Sequence, residues 1–354
     1  MTLYIFIFVL ILALSLLEIF TKNKKISLLT CLLMFFMAGS RYKIGYDFGT
    51  YESFFKDANN FENVFNGTVD AESGYLFLNY IFNKLGFNFN FFILFFSLFS
   101  IGLLTTFLYR NFPFPSMSLL YYYVRYFFVR DMGQIRSSIA CIILLFAIPY
   151  MIEKKTIRFA IVVMIASLFH ISALAFFLVY LFNHIIRELN LKNSFLLLYS
   201  AIIIGIVVQN PQIYLWAIPN RYIAYFTNPA YVNGQWIMNP VLWMQVAIFL
   251  ASLMFVHFTS REMKNKQDAY LKVYFLASFV LIAAGTLGTV GGRISTLFAT
   301  TEIIVVPYLF MNFTHNKILN IFSFYIFSFL IFLLIIVISG AYHSFTPYQS
   351  IFGL

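Results

Sequence analysis

Apolar runs of roughly 17 to 22 residues recur along the whole chain, each long enough to cross the ~30 Å hydrocarbon core of a bilayer as an α-helix. They lack the alternating pattern of barrel strands. Only 10% of the 354 residues are charged and 62% are hydrophobic, whereas a soluble domain is about a quarter charged. The fold class is therefore all-α, polytopic and integral to a membrane, with about 12 transmembrane or re-entrant helices expected. The first apolar run follows Met1 and Thr2 directly, with no basic segment before it and no small-residue cleavage site ahead of Lys22. It reads as a retained helix.

A formal net charge of +10 raises nucleic acid as a partner, but the cations lie in short clusters between apolar runs, where membrane topology accounts for them. Nucleic-acid binding is not expected. Basic clusters mark the cytoplasmic side: "KNKK" (Lys22 to Lys25), Arg110, "EKKTIR" (Glu153 to Arg158), Arg187 with Lys192, "REMKNK" (Arg261 to Lys266), and Lys317. Outward loops alternate with them at about 41–88, at the Arg130 turn, at 209–240 and at Leu287 to Arg293, with both termini outside. The whole is expected to form a single transmembrane domain, 1–354.

One segment strains this alternation. Ile157 to Ile186 has basic flanks at both ends, so it must cross twice or not at all. It reads as two short, re-entrant helices meeting near His170, a geometry tolerated where protein or a watery cavity covers the exposed backbone. The alternative is one long tilted helix with His170 as a satisfied buried polar residue. In the first long loop, "SGYLFLNYIFNKLG" has the amphipathic spacing of an interfacial helix. The second, rich in Trp, Tyr, Asn and Pro, suits interfacial anchoring or stacking on sugar rings. Cys31 and Cys141 fall inside apolar segments and read as small core residues.

The outward side also gathers charge: Arg41, Lys43, Asp47, Arg130, Asp131, Arg136, Arg221 and Arg293, with His170 near it. A charge at membrane depth costs ~2.5 to 3.5 kcal/mol on insertion scales, so such groups pair or line a cavity. Guanidinium groups match phosphate oxygens in a bidentate fork. An anionic, phosphorylated or lipid-linked ligand approached from outside is the expectation.

Three stretches carry it. In "RYKIGYDFGTY", Arg41 is expected to end the second helix and bind phosphate, while Asp47 orients it or acts as a base and Tyr51 adds an aromatic hydroxyl. The plainer reading is a snorkelling Arg paired to a nearby Asp. In "VRDMGQIRSSIA", a helix is expected to begin near Met132 with Asp131 as its N-cap, Arg130 just before it, and Arg136 one turn inside beside Gln134. An Asp131–Arg136 ion pair is the competing reading. In "GTLGTVGGRISTLF", glycines precede Arg293 at an outward helix start, and Glu302 follows near mid-membrane. Arg125 is similarly ambiguous. No Asp-x-Asp, Walker, His-Glu-x-x-His or nucleophile-elbow motif is present.

In order, "RYKIGYDFGTY", "RDMGQIRSSIA", "ASLFHISAL", "GGRISTLFATTEIIVVPYLF" and "YHSFTPYQSIF" resemble the Wzy/EpsG family of bacterial polysaccharide polymerases. The family's Arg-Gln pair reads Arg136-Ser137 here. The resemblance implies a metal-independent, cofactor-free glycosyltransferase of GT-C-like polymerase or ligase architecture, in the bacterial inner membrane with its active site toward the periplasm. It would move a glycan from undecaprenyl diphosphate onto a new lipid-linked oligosaccharide repeat unit, making O-antigen, capsule or exopolysaccharide. A chain-length-determining co-polymerase is the implied partner. On this reading Arg41, Arg136 and Arg293 hold the diphosphate, Arg130 and Arg221 assist, and His170 or Asp47 accepts the hydroxyl proton. A lipid-linked oligosaccharide flippase and an O-antigen ligase need similar arginines and are the competing functions.

Overall fold

The computed structural model describes residues 1–186, 188–232, 234–255 and 261–353, with the side chains of Arg221 and of residues 261–263 outside the description. The expected cytoplasmic mark at Arg187 lies outside the described residues, as does the side chain of Arg261. Every named element is helical, and Arg41 pairs with Ser350 in an isolated antiparallel β-bridge. Among the described residues, six helices are long and apolar enough to span a membrane: Thr2–Thr21, Phe89–Asn111, Ile135–Ile152, Leu191–Val208, Lys264–Ala284 and Lys317–Ile338. A seventh span is counted if Thr289–Ala299 and Glu302–Met311, bent by 49° at their junction, act as one. Four further apolar helices are shorter: Ile26–Gly39, Thr156–Ser167, Ile171–Ile185 and Pro240–Phe255. Cys31 and Cys141 are both buried and free.

The chain divides into two compact units, one of residues 1–146, 164–171 and 318–354, the other of 147–163 and 172–317. The first is organised by phenylalanine and tyrosine. Tyr75 meets the rings of Tyr51, Phe92 and Phe96 at 5.7, 5.8 and 5.7 Å, and Phe96 reaches Phe169 at 6.5 Å. The edge-on contacts of Tyr75 with Phe92 and Phe96 tie the amphipathic Ser73–Lys84 helix, present as the spacing of "SGYLFLNYIFNKLG" suggests, to the long Phe89–Asn111 helix.

Two close approaches in this unit depend on glycine. Gly45, at φ +102°, sits so near the Met132 carbonyl that an added Cβ would overlap it, and a Cβ on Gly133 would meet Val129 and Tyr46. The loop after Ile26–Gly39 is thereby seated on the turn before Ile135–Leu145. The C-terminal segment closes over the same loop. Tyr42 N–H donates to the Gln349 carbonyl at 2.9 Å and Ile351 N–H to Ser40 at 2.8 Å, while the Tyr348 hydroxyl donates to Met37 at 2.9 Å. This is the structural content of "YHSFTPYQSIF": it straps the Arg41 loop.

In the second unit, loop and helix meet in the same way. Gly288, at φ +41°, lies under the Tyr231 carbonyl, and Gly234 faces the Gly285 carbonyl. Trp236 Nε1–H donates to Ile282 at 2.7 Å, so the aromatic loop of 209–240 is anchored on the turn between the Arg261–Ala284 and Thr289–Ala299 helices.

Gly45→Ala should lower stability by about 1 to 3 kcal/mol, because the new methyl must displace backbone and adopt a left-handed conformation. Thermal unfolding of the detergent-solubilised protein reads this. Gly49→Ala, in a helix with nothing within 4 Å of the added Cβ, should be neutral or stabilising by up to about 1 kcal/mol.

Candidate functional site

The polar residues of the first unit converge where two interrupted helices complete each other. The Thr156–Ser167 helix stops, and a 3₁₀ turn resumes at Ile171–Phe176. Each interruption leaves N–H and C=O groups without intrahelical partners, which is untenable in a membrane unless protein supplies them. Here the Leu168 carbonyl accepts from the first N–H groups of the Ser73–Lys84 helix, Gly74 at 2.9 Å and Tyr75 at 3.3 Å. In return Glu72 Oε1 accepts from Ile171 N–H at 3.1 Å. Gly74 is required by this approach, since a Cβ there would run into the Leu168 side chain and carbonyl. The break expected at His170 is real, and it is held at both sides of the histidine.

The second oxygen of Glu72, Oε2, accepts from Arg136 Nη1 in an ion pair whose side chains are only 19% and 20% exposed. The Arg136 guanidinium also lies against three rings, Phe54 at 5.1 Å, Tyr51 at 5.8 Å and Tyr75 at 5.9 Å. Such ring faces attract a guanidinium. One carboxylate thus joins Arg136 to the His170 segment, with Tyr51 and Tyr75 as walls. Glu72 was missed as a site residue in the sequence. It precedes an amphipathic helix and looks like an ordinary first-turn acid, and its partners lie 64 and 99 residues away.

Two expectations for "VRDMGQIRSSIA" are corrected. The helix starts at Ile135 rather than near Met132, so Arg136 lies in its first turn and Gln134, half-buried, holds the cap position without a side-chain bond. Asp131 is not the N-cap of that helix, and the acid paired with Arg136 is Glu72. Asp131 is buried, 2% exposed, and accepts from the hydroxyls of Ser100 at 2.7 Å, Ser138 at 3.0 Å and Tyr122. Three hydroxyl donors suffice to satisfy a carboxylate away from water, which draws it inward past the helix start. Arg130, also buried, places its guanidinium 4.0 Å from the Tyr126 ring centre, with Arg125 4.9 Å from the same centre.

Arg41 does not end a helix, since Ile26–Gly39 stops two residues earlier. It is 1% exposed and donates through Nη1 to the Ala38 carbonyl. Burial pulls its guanidinium down to about 10, opposed first by Asp131 and then by the Tyr51, Tyr348 and Tyr75 hydroxyls. It remains a cation at neutral pH. Arg41 and Arg136 share Tyr51 and Tyr75 as electrostatic neighbours, so the two charges belong to one neighbourhood. Asp47, half-buried, precedes the Phe48–Asp57 helix without capping it and acts electrostatically on Tyr51. Burial of the whole Arg41 side chain is not the geometry of a snorkelling arginine, which keeps its head in water.

Arg293 and Arg221 lie in the second unit. Arg293 stacks 5.4 Å from the Tyr225 ring centre, in the loop that also carries Arg221. The Arg221 side chain is outside the described residues. Glu302 is fully buried at the bend between Thr289–Ala299 and Glu302–Met311.

Several apolar helices, each long enough to span a bilayer, define a multi-pass membrane protein. The EpsG family model matches residues 24–350. The chain belongs to the EpsG family, the family of Wzy-like polysaccharide polymerases. No curated protein and no solved structure matches it.

Asp131→Ala should cost about 2 to 4 kcal/mol by leaving buried hydroxyls without their acceptor. The measurement is the melting temperature and monodisperse yield of the solubilised protein, and Asp131→Asn, which keeps one acceptor oxygen, should lose less.

Proposed function

We propose that this chain polymerises oligosaccharide repeat units carried on undecaprenyl diphosphate, on the periplasmic face of the bacterial inner membrane. Family membership supports a polysaccharide polymerase. The observation that supports this particular donor is the Arg136 guanidinium, half-buried between aromatic rings beside the His170 break and within the electrostatic neighbourhood of Arg41. A glycosyl diphosphate leaves with negative charge developing on phosphate oxygen, and preorganised cations in a poorly hydrated site stabilise that charge most.

In the proposed reaction, a hydroxyl oxygen of the new lipid-linked repeat unit attacks the anomeric carbon of the growing chain. The bond from that carbon to the diphosphate oxygen breaks with inversion, and undecaprenyl diphosphate leaves with the electron pair. The hydroxyl proton passes to His170, whose ordinary pKa lies near working pH, or to Asp47 if the imidazole is a phosphate ligand instead. Arg136 holds the diphosphate, with Arg41 and Arg130 setting the local positive potential and Gln134 and Tyr51 offering hydrogen bonds to sugar or phosphate. In the second unit, Arg293 and Arg221 are proposed as further phosphate ligands. No metal ion is needed in this scheme, since the guanidinium groups provide the cation. The proposal also takes the chain as one membrane domain of GT-C-like architecture, with about 12 transmembrane or re-entrant segments. The product class is O-antigen, capsule or exopolysaccharide, its length set with a co-polymerase.

Arg136→Ala should leave protein in the membrane but abolish polymer, so that cells display only single repeat units. Wild-type chain lengths in that variant remove Arg136 from the site. His170→Asn should slow polymerisation of lipid-linked units by roughly 10² to 10⁴, the usual contribution of a general base, and Asp47→Asn by less than about tenfold. The reverse order, read as polymer formed per minute by purified protein, transfers the role of base to Asp47.

A further inference from the structure

Glu72 makes the donor site unusual, because the site already contains an anion. A carboxylate placed only to start the Ser73–Lys84 helix would cap it, and Glu72 makes no such bond. The guanidinium has a separate support in the Phe54, Tyr51 and Tyr75 rings. Of its five donor hydrogens, one on Nη1 goes to Glu72, while Nε is buried with no hydrogen-bond partner. Arg136 is thus engaged by a carboxylate and interacts with the Tyr51 hydroxyl.

Resting on the reading of Arg136 as a diphosphate ligand, we propose that Glu72 is the resident counter-ion of that site. It occupies Arg136 when no donor lipid is bound, competes with the incoming diphosphate for the guanidinium, and takes the guanidinium back as undecaprenyl diphosphate departs. A half-buried cation with no partner is costly in the empty enzyme and grips a dianion strongly once it arrives. A polymerase must release undecaprenyl diphosphate after every transfer, and a competing carboxylate makes that exchange nearly balanced. Oε1 of Glu72 stays on Ile171 N–H throughout, so the segment bearing His170 keeps its place while Arg136 changes partner. Glu72 touches neither sugar nor phosphate in this scheme. It is a positioning residue, acting through Arg136.

The test uses full-length protein in nanodiscs, undecaprenyl diphosphate as the binding probe, and lipid-linked repeat units as substrate. Glu72→Gln keeps the side-chain shape and one acceptor oxygen but removes the charge that competes with phosphate. It should bind undecaprenyl diphosphate about 5- to 20-fold more tightly, corresponding to roughly 1 to 2 kcal/mol. Its kcat should fall at least about tenfold while KM for the donor falls as well. Damage to the fold lowers binding and does not strengthen it, so the sign of the change separates the two. Glu72→Asp, which retains charge and helix-start preference but draws the carboxylate back by one methylene, should bind about 2- to 4-fold more tightly and serves if Gln impairs folding. Unchanged or weaker binding in both variants, with binding lost in Arg136→Ala, overturns the counter-ion role and leaves the donor-site reading intact. Undiminished binding in Arg136→Ala overturns both.

Discussion

A broken helix in a membrane has to be completed by something other than water, and in this protein that requirement falls on residues 72 to 75. The Leu168 carbonyl and the Ile171 amide flank His170, and both are satisfied by the start of the Ser73–Lys84 helix. Because Glu72 supplies one of those bonds and also grips Arg136, the need to satisfy backbone fixes the relation between the histidine-bearing segment and the guanidinium. The aromatic packing of Tyr75 against Phe92 and Phe96 then sets where that helix can lie. The site's geometry follows from covering an interruption in the backbone.

The charges of this unit are stabilised by different means, which explains how one greasy chain tolerates them side by side. Arg41 is enclosed, bonded to the end of its own helix and covered by the C-terminal strap. Arg130 rests on an aromatic face, and Asp131 is wrapped in hydroxyls. Arg136 alone among these three arginines combines a carboxylate partner with a side chain still about one-fifth exposed. A buried cation with a permanent partner shapes the local potential. One whose partner can be exchanged is able to bind a ligand, and that difference puts Arg136 at the centre of the proposed chemistry.

Much of the architecture was legible in the chain. Apolar run lengths disclose the spanning helices, and the basic flanks of Ile157 to Ile186 disclose an interruption near His170, since a single crossing breaks the alternation of charge. The amphipathic spacing after Glu72 discloses the Ser73–Lys84 helix. The failures have physical causes. "VRDMGQIRSS" looks like a capped helix start because Asp is a favoured N-cap. Two hydroxyls from elsewhere in the unit, of Ser100 and Tyr122, and that of Ser138 at the end of the stretch compete for that carboxylate and win, and the helix begins three residues later. The acid that a sequence neighbour, Asp131, offered Arg136 as a competing reading is supplied instead from 64 residues away. Spacing along a helix says which residues share a face, and nothing about which distant loop is folded against it.

The central claim is that Arg136, between Glu72 and the tyrosine rings, receives the diphosphate of the donor lipid. A cryo-electron microscopy map of the protein with undecaprenyl-diphosphate-linked repeat unit in nanodiscs tests it most directly. The account predicts diphosphate density within hydrogen-bond distance of the Arg136 guanidinium, with the sugar side toward His170 and Glu72 still on the Ile171 amide. Diphosphate density elsewhere, with the Arg136–Glu72 pair intact and lipid tails packed over it, contradicts the account.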